Sequence, residues 1–179
     1  MSQPTTLQTI TPLRRQFAGN EGNQPVLQVC LYDNLVLDPP YQRDSVWAPL
    51  RQCLLIRSLL TGTPTGMVFL NVRPDDVMTI AVVDGKQRIE AVLAFVRGDL
   101  PVPASWFLPG DAPVTVDTPD GPYARYPDLT DRGQRMFERA TFVTMRTNLD
   151  TIAEKADLFS TVNFTGVAQG DTDLSGQGA

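Results

Sequence analysis

"VVDGKQRIEAVLAF", residues 82–95, sets Asp, Gly, Lys, Gln and Arg in one unbroken run between a β-rich segment and an amphipathic one. Ile89, Val92, Leu93 and Val96 fall at i, i+3, i+4 and i+7, the spacing of one helical face, and Gly98 ends the pattern. The stretch predicts a strand ending at Asp84, a turn at Gly85 and a helix from about Lys86 to Arg97. A helix N-terminus offers unpaired N–H groups and the positive end of the helix dipole. A glycine at its entrance lets a ligand come close to the backbone, so together they form an anion site. Arg88 lies one turn in and can wrap back with a planar, bidentate grip, while Lys86 adds a second cation. Asp84 would repel a phosphate there, which makes sense if it holds Mg²⁺, fixes Arg88, or accepts a proton from water or a hydroxyl. Gln87 can orient a water or read a ligand edge. In the plainer alternative, Asp84 caps the helix, Gly85 makes the turn, and Lys86, Gln87 and Arg88 are a solvated first turn.

Working outward, "GMVFLNV" (66–72) and "MTIAVV" (78–83) are short β-rich runs joined by turn-like "RPDD" (73–76), which predicts a hairpin or adjacent strands. Pro49 fits the first turn of a helix through "LRQCLLIRSLL", and Gly62 fits its end. "PVLQVCLY" (25–32) reads as a strand, and residues 1–24 as a flexible arm. Residues 99–128 carry seven prolines and read as a long, largely irregular excursion. A short helix over 130–139 is followed by a β-like "TFVTMRT" (141–147). A last helix starts at Thr151, whose spacing to Glu154 makes a capping box, with Ile152, Ala156, Phe159 and Val162 as its apolar stripe. The order of elements is α+β, one domain over 25–166 with a flexible Gly-rich tail at 167–179.

The chain has 179 residues, 42% of them hydrophobic, enough for one domain with a real core. No apolar run is long enough to cross a bilayer and the N-terminus lacks the apolar centre of a signal peptide, so a cytoplasmic protein is expected. Cys30 and Cys53 sit in apolar surroundings and read as buried thiols. The absence of histidine excludes Ser-His-Asp and Cys-His nucleophiles and His-metal nucleases within these residues. Chemistry falls to carboxylates, Lys, Arg, hydroxyls, backbone amides and a metal on oxygen ligands. A net charge of -5 argues for weak or no direct duplex DNA binding, since that affinity comes mostly from neutralising phosphates.

Two further stretches carry candidate ligand groups. In "PPYQRDSVW" (39–47), Pro39 and Pro40 fix an extended path, and Tyr41, Gln42, Arg43 and Trp47 combine a cation with two aromatics. Such a loop can stack a base and hold a phosphate, or its aromatics plug the core edge with Arg43 paired to Asp38 or Asp44. In "LFSTVNFTG" (158–166), Asn163 and Gly166 read locally as a helix stop.

Taken in this order, "YQRDSVW", "LIRSLLTGTP", "VVDGKQRIEAVLAF" and "LFSTVNFTG" resemble the N-terminal domain of the GmrSD-type restriction family, over roughly residues 33–166. That family carries an Asp-Gly-Gln-Gln-Arg motif, preceded by a Gln-Arg…Trp loop and followed by a Phe-x-x-x-Asn helix end. The resemblance implies a ParB/sulfiredoxin-like fold, a small mixed sheet with flanking helices, in which a Gly-x-x-Arg turn binds nucleotide phosphates. Asp84, Gly85, Gln87 and Arg88 match the core motif; Gln42, Arg43 and Trp47 match the upstream loop; Asn163 matches the downstream helix end, with Phe159 as its packing residue. Lys86 departs from the family's usual Gln and adds a charge beside the expected phosphates.

The family resemblance implies an NTP as ligand or substrate and regulation of a DNA-cutting part, here an effector protein or nuclease in trans; Mg²⁺ is expected from the placement of Asp84. The first expectation is an NTPase or phosphotransferase with Asp84, Gln87 and Arg88 catalytic and Asp84 holding Mg²⁺. The second is a non-catalytic nucleotide sensor or protein-binding regulator. A DNA-directed nuclease or kinase is a third, disfavoured by the acidity and the missing histidine. No membrane partner is expected, and an oligomer is left open.

Overall fold

A computed structural model describes residues 17–37, 47–73 and 76–165. The predicted hairpin is present: β3 (Met67–Arg73) pairs antiparallel with β4 (Asp76–Asp84), Leu70 opposite Val82. It sits inside a five-stranded mixed sheet of order β1-β8-β3-β4-β2. β8 (Thr141–Thr147) runs parallel to β3, with Met67 opposite Val143, and antiparallel to β1 (Phe17–Pro25). β2 (Leu35–Val36) runs parallel to β4 on the other edge. With five helices among the described residues, this is the α+β class that the sequence predicts.

Two readings of the N-terminal region are corrected. Residues 17–24, assigned to a flexible arm, belong to β1. "PVLQVCLY", read as a strand, holds α1 (Val26–Cys30). Val26, Val29 and Cys30 are buried at i, i+3 and i+4, so helical spacing and burial override the β propensity of two valines. Pro25 ends β1 and starts α1, whose Val26 N–H donates to the Ala140 carbonyl.

On the main face of the sheet, Val68, Leu70, Ile80, Val82 and Phe142 meet α1, α2 (Pro49–Thr61) and α3 (Lys86–Arg97). α2 starts on Pro49 and ends on left-handed Gly62, and α3 ends on left-handed Gly98, as predicted. The buried stripe of α3 is Ile89, Ala91, Val92 and Phe95, while Leu93 and Val96, expected in it, are half-buried. Phe95 draws the stripe round, because it stacks edge-on with Phe137 of α4 (Asp131–Glu138) and Tyr126, at centroid separations of 4.9 and 5.5 Å.

The Pro-rich excursion is more ordered than its composition suggests. It contains a second sheet of order β5-β7-β6, from β5 (Val102–Pro103), β6 (Val116–Thr118) and β7 (Gly121–Ala124). Asp111, 2% exposed, ties it to α4: its Oδ1 accepts from Thr130 Oγ1 at 2.8 Å and Arg132 Nε at 2.7 Å.

The other sheet face is covered by α5 (Ile152–Thr165), whose Leu158 joins Phe69, Val83 and Leu149, with Phe159 and Val162 packed against them. The predicted capping box opens α5: Glu154 N–H donates to Thr151 Oγ1 at 3.2 Å and Thr151 N–H to Glu154 Oε2 at 2.9 Å. Buried Asn71 sets the approach to α5. Its Oδ1 accepts from Leu149 N–H at 2.7 Å and Thr147 Oγ1 at 2.9 Å, and its Nδ2 donates to the Leu149 carbonyl at 3.1 Å. Asn71 thus satisfies both polar backbone groups of a buried residue that leaves the sheet.

Candidate functional site

The Asp-Gly-Lys-Gln-Arg run lies where β4 hands over to α3, as predicted. Gly85 turns the chain in the left-handed region, φ 105°, and is buried against β3. A Cβ there would sit 3.0 Å from Val68 Cγ2, so both the backbone angle and the space require glycine. No side chain caps α3, which excludes the plainer reading of Asp84 as a helix cap.

Each polar side chain of the run has a protein partner. Arg88 Nη1 donates to Asp84 Oδ2 at 3.2 Å, so of the three roles open to Asp84 in the sequence, fixing Arg88 is the one seen. Arg88 Nε also donates to the Thr65 carbonyl at 2.9 Å and Nη1 to the Met67 carbonyl at 3.3 Å. The guanidinium therefore clasps the connection between α2 and β3. Gly66 leaves it room: a Cβ there would lie 3.0 Å from Nη2. Asp84 Oδ1 has no hydrogen bond among the described residues.

Gln87 ties a second segment to the same turn. Its Oε1 accepts from Trp47 N–H at 2.8 Å and its Nε2 donates to Glu90 Oε2 at 3.0 Å. Lys86, its side chain only 12% exposed, reaches Glu90 Oε1 at 3.8 Å. Trp47 packs at the edge of the main core with Arg51 4.5 Å above its ring, and Gln52 Nε2 donates to its carbonyl. The turn and the end of the upstream loop are thus joined directly, through Gln87 and Trp47.

The structure brings together Asp84, Gly85, Lys86, Gln87, Arg88 and Trp47. Tyr41, Gln42, Arg43 and the side chain of Asn163 lie outside the described residues, although the Asn163 backbone falls in the last turn of α5. Sequence reasoning missed Glu90 and the Thr65–Gly66–Met67 backbone. Glu90 was legible, lying i+4 from Lys86 and i+3 from Gln87 on a predicted helix. The carbonyls that Arg88 binds carried no signal beyond a glycine at 66.

For a divalent ion the donor set is sparse. No group of three or more His, Cys, Asp or Glu side chains able to hold a metal occurs among the described residues. The turn offers one carboxylate oxygen, Asp84 Oδ1, which fits Mg²⁺ in its usual manner of binding through one or two carboxylates together with substrate phosphates. No described helix is long and apolar enough to cross a membrane.

The fold and turn define an α+β domain in which a strand-to-helix motif braces two flanking segments around one uncapped helix start. Residues 27–140 match the family described as GmrSD restriction endonuclease, N-terminal domain. The chain belongs to this family, which links it to restriction and defence systems. The match contains Trp47 and the whole 84–88 run and ends before β8, so α5 and Asn163 lie outside it. Comparison with curated proteins and with solved structures returned no match.

Proposed function

We propose that the start of α3 binds the phosphates of a nucleoside triphosphate and, with Mg²⁺, supports slow hydrolysis or phosphoryl transfer that regulates a DNA-cutting partner in trans. The observation that carries this is the uncapped helix start behind Gly85, with Asp84 Oδ1 beside it, in a chain of a restriction family. Phosphoryl transfer asks a protein mainly for positioning and charge stabilisation. On this reading Asp84 Oδ1 holds the ion or takes a proton from water, the α3 amides and Lys86 hold phosphate oxygens, and Trp47 lies at the edge of the ligand. Mg²⁺ would supply charge neutralisation between phosphates. Arg88 and Gln87 act as positioning residues, keeping Asp84 and Trp47 in place. Arg43, Gln42 and Asn163 remain proposed contacts by their place in the family motifs, and Tyr41 as an aromatic of the same loop able to stack a base. The mixed sheet with α3 following β4 supports a ParB/sulfiredoxin-like reading of the fold.

A second reading is a nucleotide sensor without turnover. It is favoured by the pairing of both cations of the run, Lys86 with Glu90 and Arg88 with Asp84, which leaves the turn with little net charge to stabilise a transition state. Free-phosphate release from each NTP with Mg²⁺ separates the two. Turnover in the wild type that disappears in Asp84→Ala supports the enzyme. Nucleotide-dependent thermal stabilisation without release supports the sensor. Neither effect with any of the four NTPs overturns nucleotide binding altogether.

A further inference from the structure

The connection clasped by Arg88 has a second side. There it walls a groove of about 720 Å³ that opens across the starts of β3 and β8. Its floor includes Met67 and Val143, direct cross-strand partners that are 43% and 38% exposed. Leu60 and Met136 add apolar wall, and Thr61, Thr63 and Thr65 bring hydroxyls along the connection. The volume lies within the range of small-molecule sites, and a mostly apolar lining with a few convergent polar groups is their usual make-up.

Charge singles the groove out. The chain carries 20 acidic residues against 15 basic ones, yet among the described residues no Asp or Glu lines this groove. Among the described residues its one charged lining group is Arg139, just past the end of α4, exposed and with no side-chain hydrogen bond or ion pair to another described residue. The wall facing it is fixed. Thr63 N–H donates to the Ser58 carbonyl at 2.8 Å, Thr61 and Thr63 hydroxyls lie 2.9 Å apart, and Arg88 holds the Thr65 and Met67 carbonyls. A preformed wall, an apolar floor and one unpaired guanidinium suit a ligand with an apolar, planar body and one anionic group.

We propose that this groove is a second ligand site, separate from the α3 turn, which takes a small organic anion: a phosphate or carboxylate on a planar body of about nucleoside size. Arg139 grips the anion, Met67, Val143 and Met136 cover the body, and the threonine hydroxyls meet its polar edges. The assignment does not depend on what the α3 turn binds.

The test is a titration of the ¹⁵N-labelled chain, followed by amide shifts. The probes are a nucleoside 5′-monophosphate, an aryl carboxylate such as indole-3-acetate, and inorganic phosphate, which lacks the body. Saturable shifts at Gly62, Thr63, Gly66 and Met67 with the first or second probe, and not with phosphate alone, are expected; the probe that produces them identifies the source of the anion. Arg139→Gln should weaken that binding by about tenfold or more, the worth of one charge-assisted hydrogen bond. Val143→Glu, which puts a carboxylate on the floor, should abolish it. Lys86→Ala, at the α3 start, should leave it unchanged, which separates this site from the α3 turn. Absence of shifts at these amides up to the solubility limit of both organic probes overturns the proposal, as does unchanged affinity in Arg139→Gln.

Discussion

Arg88→Ala tests whether the arginine of the motif is a free ligand group or a brace. The substitution deletes a 2.9 Å bond to the Thr65 carbonyl, a 3.3 Å bond to the Met67 carbonyl and a 3.2 Å contact with Asp84. Hydrogen bonds involving a charged group contribute about 1.5–3 kcal/mol each when buried. These groups are partly exposed, at 23% for the Arg88 side chain and 18% for Asp84, and two of the three distances are long. Water can replace part of what is lost, so the expected net cost is about 2–3 kcal/mol rather than the sum of three bonds. For a domain of this size that lowers Tm by roughly 4–12 °C. The measurement is urea and thermal unfolding of wild type, Arg88→Ala and Arg88→Lys in the absence of nucleotide. Lysine keeps the charge but has no planar fork to span two carbonyls and a carboxylate, so it should recover only part of the loss. An Arg88→Ala protein that unfolds within 1 °C of wild type, a difference of roughly half a kcal/mol or less, would refute the brace and return the guanidinium to the role of a solvent-facing phosphate ligand.

Other perturbations probe the neighbouring contacts. Gly85→Ala should destabilise more than Gly110→Ala: both sites have positive φ, but an added Cβ meets Val68 at 3.0 Å in the first and nothing within 4 Å in the second, and urea midpoints will show the difference. Gln87→Ala removes the acceptor of the Trp47 N–H, so exchange of that amide should speed up by about tenfold or more while core amides of β3 are unaffected. Asp111 titrates below the ordinary carboxylate range because Arg132 and Thr130 bond its ionised form, outweighing the opposing effect of burial. A depressed folded pKa contributes stability that is full above the unfolded value of about 3.9 and lost as pH falls through the folded one. Thermal unfolding from pH 6 down to 2 should therefore fall less steeply in Asp111→Asn than in wild type, whereas parallel curves would exclude the linkage.

Much of this architecture was legible because local signals agreed. Pro49 and Gly62 bounded α2, Gly98 ended α3, and Thr151 with Glu154 opened α5, each through chemistry contained within a few residues. The failures came where tertiary contacts decide. "PVLQVCLY" favours strand by propensity, but Val26, Val29 and Cys30 find the core only as a helix. The arm-like residues 17–24 become β1 because β8, more than a hundred residues later, supplies an edge to pair with. The prolines of 99–128 hid a small sheet whose anchor, Asp111, meets Thr130 and Arg132 beyond the stretch itself. At the candidate site the sequence delivered the membership of the turn but not its wiring, since backbone carbonyls at 65 and 67 leave no mark in side-chain chemistry.

That wiring constrains the proposed nucleotide site. A phosphate that drew Arg88 toward the α3 start would have to break its contact with Asp84 and its two carbonyl bonds together, since one planar guanidinium makes them all. It would also expose Asp84 Oδ2 to the same anion, placing a carboxylate against the incoming charge. Binding through the backbone amides and Lys86 leaves those three bonds in place, and Lys86 meets Glu90 at 3.8 Å, a longer contact than any of them. On the proposed reading the phosphate is therefore met by Lys86 and the α3 amides rather than by Arg88. Arg88 and Asp84 are more economically read as the pair that keeps the α2–β3 connection closed while it does so.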